Sequence, residues 1–324
     1  MLIDSYGRKI DYLRISVTDR CNLRCRYCMP ACGIINRPHH ELLSFEEIIT
    51  TAKAAAKAGI ENIRLTGGEP LVRKGLDSLI NSLNRIDGIR DISLTTNGIL
   101  LRKHAAELKK AGLKRLNISL DSLKQDRYNW ITRGGDLAGV LEAVKEASIL
   151  EFSLIKINVL LLDETSRLEI PDFLRLTIEN SFHVRFLEFM PISPFYKMEK
   201  FISGREVLKA AKRFCDVEEA DIYGNGPAKV YKFKNALGTF GIISPITDKF
   251  CASCNRLRLS SDGFLKPCLH SEKRVNLRAD LRRGVSEEGL IRLIKSAVDM
   301  KPKEHFLDKN VTKSLECSMC QIGG

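Results

Sequence analysis

Cys21, Cys25 and Cys28 stand in a C-x3-C-x2-C run. Three thiolates this close can each hold one iron of an iron–sulfur cube and leave the fourth iron open. A metal centre with an open coordination position can bind and activate a substrate, not only brace a fold. The spacing also admits zinc, with Cys32 as a fourth ligand, or thiols that ligate nothing. A second group lies far along the chain: Cys251-x2-Cys254, then Cys268. It admits a second open cluster, or zinc completed by His270, Cys317 or Cys320. Arg256 and Arg258 alternate directly after Cys254, so a strand there puts both guanidiniums on one face. Guanidiniums match phosphate oxygens two at a time, which suits a phosphorylated ligand. The blander alternatives are that they offset thiolate charge or pair at the surface.

Positioning such groups needs a framework, and the chain shows one rhythm over its first two-thirds: an apolar run, a turn, an amphipathic stretch. Strands are predicted at residues 12–17, 62–66, 91–95, 115–120, 154–160 and 184–189. Helices are predicted at 44–58, 76–84, 101–110, 136–149 and 168–179. Ser44 with Glu47 has the capping-box pattern, and Gly59 and Gly112 stand where helix ends need a left-handed residue. The alternation predicts an α/β protein with a parallel sheet. Six units make an incomplete (β/α)6 barrel, related to the triosephosphate-isomerase barrel.

Ligands of such barrels bind at the carboxyl ends of the strands. Gly67-Gly68-Glu69-Pro70, Thr95-Thr96-Asn97-Gly98, Ser119-Leu120-Asp121 and Glu188-Phe189-Met190-Pro191 fall at those ends, and Lys156 and Asn158 lie in the fifth strand. Any one of them is also ordinary turn chemistry; their agreement at one end of every strand argues for a site. Beyond about residue 193 the rhythm changes. A helix is expected at 203–214, short strands within 222–243, a strand at 255–259 and a helix at 286–298. This divides the chain into a partial barrel, residues 1–215, and a C-terminal region, residues 216–324, which carries the second cysteine group and ends in Gly323-Gly324.

The ten cysteines among 324 residues are mostly grouped, which fits metal binding in a reducing compartment better than a disulfide scaffold. Residues 1–9 are polar and mixed in charge, and no apolar run approaches the ~18 residues of a membrane span. A cytoplasmic protein with no membrane partner is therefore expected. A net charge of +12 favours anionic partners or is simply a solvated surface. The basic residues are spread over helix faces (Lys53, Lys57, Lys109, Lys110) with no aromatic interleaving, so nucleic acid is not expected as a partner.

The stretch from Cys21 to Cys28, with Arg24, Arg26 and Tyr27 between the cysteines, resembles the signature of radical S-adenosylmethionine enzymes. Thr66-Gly67-Gly68-Glu69-Pro70 is similar to the methionine-binding turn of that superfamily. The residues from Leu13 to Arg20, the Leu94 to Gly98 turn, Arg185 to Pro191, Cys251 to Gly263 and the terminal Gly-Gly together resemble the GTP 3′,8-cyclase family of molybdenum cofactor biosynthesis. The resemblance runs nearly the full length. It implies two [4Fe–4S] clusters, one on Cys21, Cys25 and Cys28 and one on Cys251, Cys254 and Cys268. On the first, S-adenosylmethionine is cleaved to a 5′-deoxyadenosyl radical. That radical takes the 3′ hydrogen of GTP, and the carbon radical closes onto C8 of guanine.

By the same resemblance, Tyr27, Gly68, Glu69, Ser119 and Met190 contact S-adenosylmethionine. Arg14, Arg64, Thr95, Lys156, Arg185, Arg256 and Arg258 contact GTP, and Gly323 and Gly324 enter the active site with a catalytic part beside Arg256 and Arg258. The implied partners are an external electron donor and a downstream cyclic pyranopterin monophosphate synthase, and a homodimer is left open. Cys32, Cys215, Cys317 and Cys320 match no ligand of the family. Two alternatives stand: another radical S-adenosylmethionine enzyme with an auxiliary cluster, such as a peptide-modifying one, and a non-catalytic zinc protein that binds nucleic acid.

Overall fold

Alternation of polar and apolar residues runs through the parallel strands, and it explains how the sheet is used. The computed structural model describes residues 1–190, 192, 200–221, 226–307 and 319. The first six strands are β1 (Tyr12–Ser16), β2 (Asn62–Thr66), β3 (Asp91–Thr96), β4 (Arg115–Ser119), β5 (Leu154–Leu161) and β6 (His183–Glu188). One face of each carries residues such as Leu13, Ile15, Ile63, Leu65, Leu94, Ile118, Ile157 and Phe186, all buried in the main core. The opposite face carries Arg14, Arg64, Ser93, Asn117, Lys156 and Arg185. Strands buried on both sides in a helix-wrapped sheet are usually apolar throughout. Here one face is kept polar, as a ligand-holding interior requires.

The helices α1 (Phe45–Ala58), α2 (Leu76–Asn84), α3 (Leu101–Lys110), α4 (Gln125–Thr132), α5 (Leu137–Ile149) and α6 (Glu164–Glu179) lie between these strands in the chain. They cover the apolar face through Ile48, Leu79, Leu108, Val140 and Phe173. Burying each such side chain contributes about 1.5–3 kcal/mol. The expected capping box is present: Glu47 N donates to Ser44 Oγ at 3.1 Å, and Ser44 N donates to the Glu47 carboxylate at 2.7 Å. Gly59 has φ 121° and Gly112 φ 94°, the left-handed backbone that their places after α1 and α3 require. Helix α4 escaped sequence reading because it is one short, weakly amphipathic turn pair. Helix α6 starts four residues before the expected position because Asp163 accepts from Ser166 N at 3.0 Å and caps it there.

After α7 (Gly204–Phe214) come β7 (Val217–Glu219), β8 (Lys229–Phe233), β9 (Thr239–Ile243), β10 (Arg256–Leu259), β11 (Phe264–Lys266) and β12 (Val275–Asn276), then α8 (Leu277–Arg282) and α9 (Glu287–Asp299). Among the described residues, these twelve strands join one sheet in the order β12-β11-β10-β1-β2-β3-β4-β5-β6-β9-β8-β7. Strand β10 pairs parallel with β1, and β9 pairs parallel with β6. The barrel expected from six units is thus flanked by a further parallel strand on each side. Antiparallel pairs, β10 with β11 and β8 with β9, then carry the sheet to its edges, so the barrel stays open. No described helix is long and apolar enough to cross a membrane.

Candidate active site

Strand β1 ends at Ser16, and the chain crosses through buried Thr18 and Asp19 into the first cysteine loop. Gly68 N donates to Thr18 O and Glu69 N to Arg20 O, both at 2.8 Å. The turn after β2 therefore lies directly against the cysteine loop. A Cβ on Gly68 would stand 2.4 Å from Arg20 O, so no other residue allows this approach. Within the loop, Cys28 N donates to Cys25 O at 2.9 Å. Asn97 Nδ2 reaches Cys21 Sγ at 3.9 Å from the end of β3. The Tyr27 hydroxyl donates to Asp121 Oδ2 at 2.7 Å, and Leu160 N donates to the other oxygen of the same carboxylate at 2.9 Å.

Two carboxyls in this half are strongly perturbed. Burial pushes Glu69 up to about 7, although it accepts from Asn97 N, Thr96 Oγ1 and Leu71 N. Burial likewise pushes Asp121 up to about 6, against the hydrogen bond from Tyr27. Burial also raises the Cys25 thiol, with the Asp121 charge adding to it. A cationic ligand or metal in the cavity would relieve all three.

The interior of the barrel is basic. Arg14 is the register partner of both Arg258 on β10 and Arg64 on β2, so three guanidiniums form one row across three adjacent strands. Burial, then Arg258 and Arg64, hold the Arg14 pKa well below its ordinary value. Burial and Arg256 push Arg258 down to about 10. Arg185, buried on β6, is lowered by burial and by Arg64, and donates to Asn117 Oδ1 at 2.6 Å. Thr95 Oγ1 is buried with no hydrogen-bond partner. Charges of one sign gathered around one cavity cost free energy until a polyanion binds among them.

The second cysteine group is held from elsewhere in the chain. Arg8 donates to Cys251 O at 2.7 Å. Buried Lys301 donates to Cys254 Sγ at 3.5 Å, to Arg256 O at 2.8 Å and to Pro267 O at 2.9 Å. It thereby ties the strand that carries the arginines to the loop that brings Cys268. Burial works against the Cys254 thiolate, but Lys301 and Arg256 outweigh it and the thiol sits below its ordinary range. Sequence reading missed Lys301: no local pattern marks a lysine whose partners lie so far away in the chain.

Both cysteine groups open on one cavity of about 380 Å³, which is also lined by Tyr27, Gly68, Glu69, Ser119 and Met190 and by Arg14, Arg64, Thr95, Arg185, Arg256 and Arg258. His270, which sequence reading considered as a ligand, lines it beside His305, their rings 4.8 Å apart. Lys156 lies instead on an adjoining cavity, which shares Arg185 with the main one. Cys32 and Cys215 are exposed. Gly323, Gly324, Cys317, Cys320 and Pro191 lie outside the described residues. Every described cysteine is a free thiol. Among the described residues, no three His, Cys, Asp or Glu side chains converge as the ligands of a single metal ion would. Three thiols on the wall of one cavity can each hold one iron of a cluster.

The radical SAM superfamily profile matches residues 15–177, and the Molybdenum Cofactor Synthesis C profile matches residues 182–307. A GTP 3′,8-cyclase of Peptoclostridium acidaminophilum is 48% identical over 327 residues, which cover 100% of this chain and 98% of that protein. The chain belongs to the GTP 3′,8-cyclase family. A second member, from Alkaliphilus metalliredigens, is 44% identical over 99% of both chains. As a radical S-adenosylmethionine enzyme of this family, the protein works with a [4Fe–4S] cluster and S-adenosylmethionine. The thiols of Cys21, Cys25 and Cys28 with the buried Glu69 carboxyl fit that pair of groups. Streptococcus suis SuiB bound to S-adenosylmethionine superposes with a TM-score of 0.63 at 16% identity, covering 89% of this chain and 68% of that one. That likeness shows a shared fold alone.

Proposed function

We propose that the protein converts GTP to (8S)-3′,8-cyclo-7,8-dihydroguanosine 5′-triphosphate, the first step of molybdenum cofactor biosynthesis. The observation that carries this reading is the single cavity on which two three-cysteine groups and a row of arginines open together. Neither a lone redox centre nor a lone phosphate site needs that combination.

In this reading Cys21, Cys25 and Cys28 hold one [4Fe–4S] cluster, and Cys251, Cys254 and Cys268 hold a second. When bound, the first cluster and S-adenosylmethionine supply the radical chemistry that starts cyclisation. Glu69 takes the amino group of S-adenosylmethionine, and Tyr27, Gly68, Ser119 and Met190 shape its seat. Arg14, Arg64, Arg185, Arg256 and Arg258 receive the triphosphate, which carries about four negative charges near neutral pH. Thr95 offers a hydroxyl to the same ligand, and Lys156 adds an ammonium from the adjoining cavity. The polar interior orients the nucleotide, and the helix-wrapped wall keeps bulk water from the reacting carbon. Gly323 and Gly324 take the catalytic part that the family resemblance gives them. An external electron donor and a synthase that consumes the product are the partners this chemistry requires.

The test is anaerobic. Reconstituted protein should carry about eight irons, two cubes of four. Reduced and given GTP with S-adenosylmethionine, it should form 5′-deoxyadenosine and the cyclised nucleotide. Cys25→Ser should stop both while leaving about four irons on the second group. A colourless protein that binds two zinc ions, or one that releases 5′-deoxyadenosine only with a peptide, would overturn this reading.

A further inference from the structure

The adjoining cavity, of about 610 Å³, is lined by Lys156, His183 and Arg185. Lys156 is near the start of β5 and His183 is the first residue of β6. This cavity therefore lies toward the amino ends of the strands, opposite the cofactor loops. Because Arg185 and Gly226 line both cavities, the two meet at Arg185.

His183 has no part in the chemistry derived so far. It is 1% exposed. Its Nδ1 lies 2.8 Å from Thr239 Oγ1, its register partner on β9. Its Nε2 is buried with no hydrogen-bond partner. The ring packs closely over Gly241, the register partner of Arg185: a Cβ there would stand 3.0 Å from both Cε1 and Nε2 of the ring. Lys156, 4% exposed, is the register partner of His183 on the other side. An ammonium, a guanidinium and an orphaned imidazole nitrogen on one polar cavity are the donor set of a phosphate group.

We infer that His183 is a positioning and specificity residue for the terminal phosphate of the substrate, donating through Nε2–H while the Thr239 hydroxyl donates to Nδ1 and fixes that tautomer. A hydroxyl can donate or accept, so Thr239 supports the ring with the cavity empty or filled. Burial, Arg185 and Lys156 hold the imidazole neutral, which leaves it one N–H to give. The inference rests on GTP as the substrate. Because the two cavities meet at Arg185, phosphates received there continue toward His183, and a triphosphate extends further along that line than a monophosphate. The residue would then favour GTP over GMP.

The test measures binding of GTP, GMP and inorganic tripolyphosphate to the cluster-loaded protein by anaerobic equilibrium dialysis. His183→Leu should weaken GTP and tripolyphosphate about tenfold and leave GMP unchanged. His183→Gln, which can place an amide N–H near the Nε2 position, should keep most of the GTP affinity; a structural role for the ring would not be rescued this way. Gly241→Ala crowds Nε2 without removing the ring and should give the same selective loss, so the answer does not hang on one variant folding. Equal losses for GTP and GMP, or no loss for either, would overturn the assignment. Wild-type protein that binds tripolyphosphate but no GTP would overturn the substrate reading and, with it, the claim for GTP over GMP.

Discussion

The Tyr27 hydroxyl donates to Asp121 Oδ2 at 2.7 Å, and this bond pins the first cysteine loop to the chain just past β4. Asp121 is buried, and its other oxygen holds Leu160 N on β5. One carboxylate therefore joins the loop to two strands. Removing the donor leaves a buried acceptor short of a partner. Tyr27→Phe should cost about 1–3 kcal/mol of unfolding free energy in the cluster-free protein, read from urea denaturation. An unchanged midpoint would mean that the bond only orients the ring.

Glu69 gives a pH dependence of defined sign. Its carboxyl moves from 4.5 to about 7 on burial, so the folded protein holds this proton more tightly than the unfolded chain does. Its contribution to stability is therefore greatest at low pH and falls as pH rises through that window. The unfolding free energy of wild type minus that of Glu69→Gln, measured between those limits, should fall with pH. A ligand ammonium reverses the penalty. S-adenosylmethionine affinity should rise with pH until about 7 and then level off, and Glu69→Gln should bind weakly with no such rise.

Lys156 works in the opposite sense. Burial, then Arg185 and Arg115, push its ammonium from 10.5 down to about 6. The folded protein has lost a proton that the unfolded chain keeps, so this contribution to stability rises with pH between those values. A triphosphate restores the charge. GTP binding near pH 8 should take up as much as about one proton. Titration calorimetry in buffers of different ionisation enthalpy measures that uptake, and Lys156→Met should abolish it.

Arg258 is a register partner of Arg14 and sits four residues after Cys254. Arg258→Ala should weaken GTP by about 2–5 kcal/mol, because a buried charge contact to phosphate is lost. Iron content should stay at the wild-type value. Retained GTP affinity and cyclisation would count against a phosphate role for this row.

The terminal glycines carry a separate expectation. Deleting Gly323 and Gly324 should leave iron content and GTP binding near wild type but abolish cyclisation, since small misplacements at a reacting centre cost orders of magnitude in rate. Product formation by the shortened, reconstituted protein is the measurement. Full turnover would leave the tail without a catalytic part.

What the sequence determined by itself was local in the chain. The two cysteine spacings, the Gly67-Gly68 turn and the alternating Arg256 and Arg258 announce their chemistry within a few residues, because metal and phosphate ligation select residue types at short intervals. The Ser44 and Glu47 cap and the first six strands were legible for the same reason: capping and period-two patterning are short-range. Tertiary structure decided what depended on distant partners. It brought β10 beside β1, 244 residues away by the Tyr12–Arg256 pair, and so turned separate arginines into one row. It placed Lys301 on Cys254 Sγ, 47 residues off. It moved Lys156 from the main cavity to the adjoining one and set His183 between Lys156 and Thr239. Strand pairing is settled by packing of whole faces over long separations, and no local pattern encodes which strand will stand next to which.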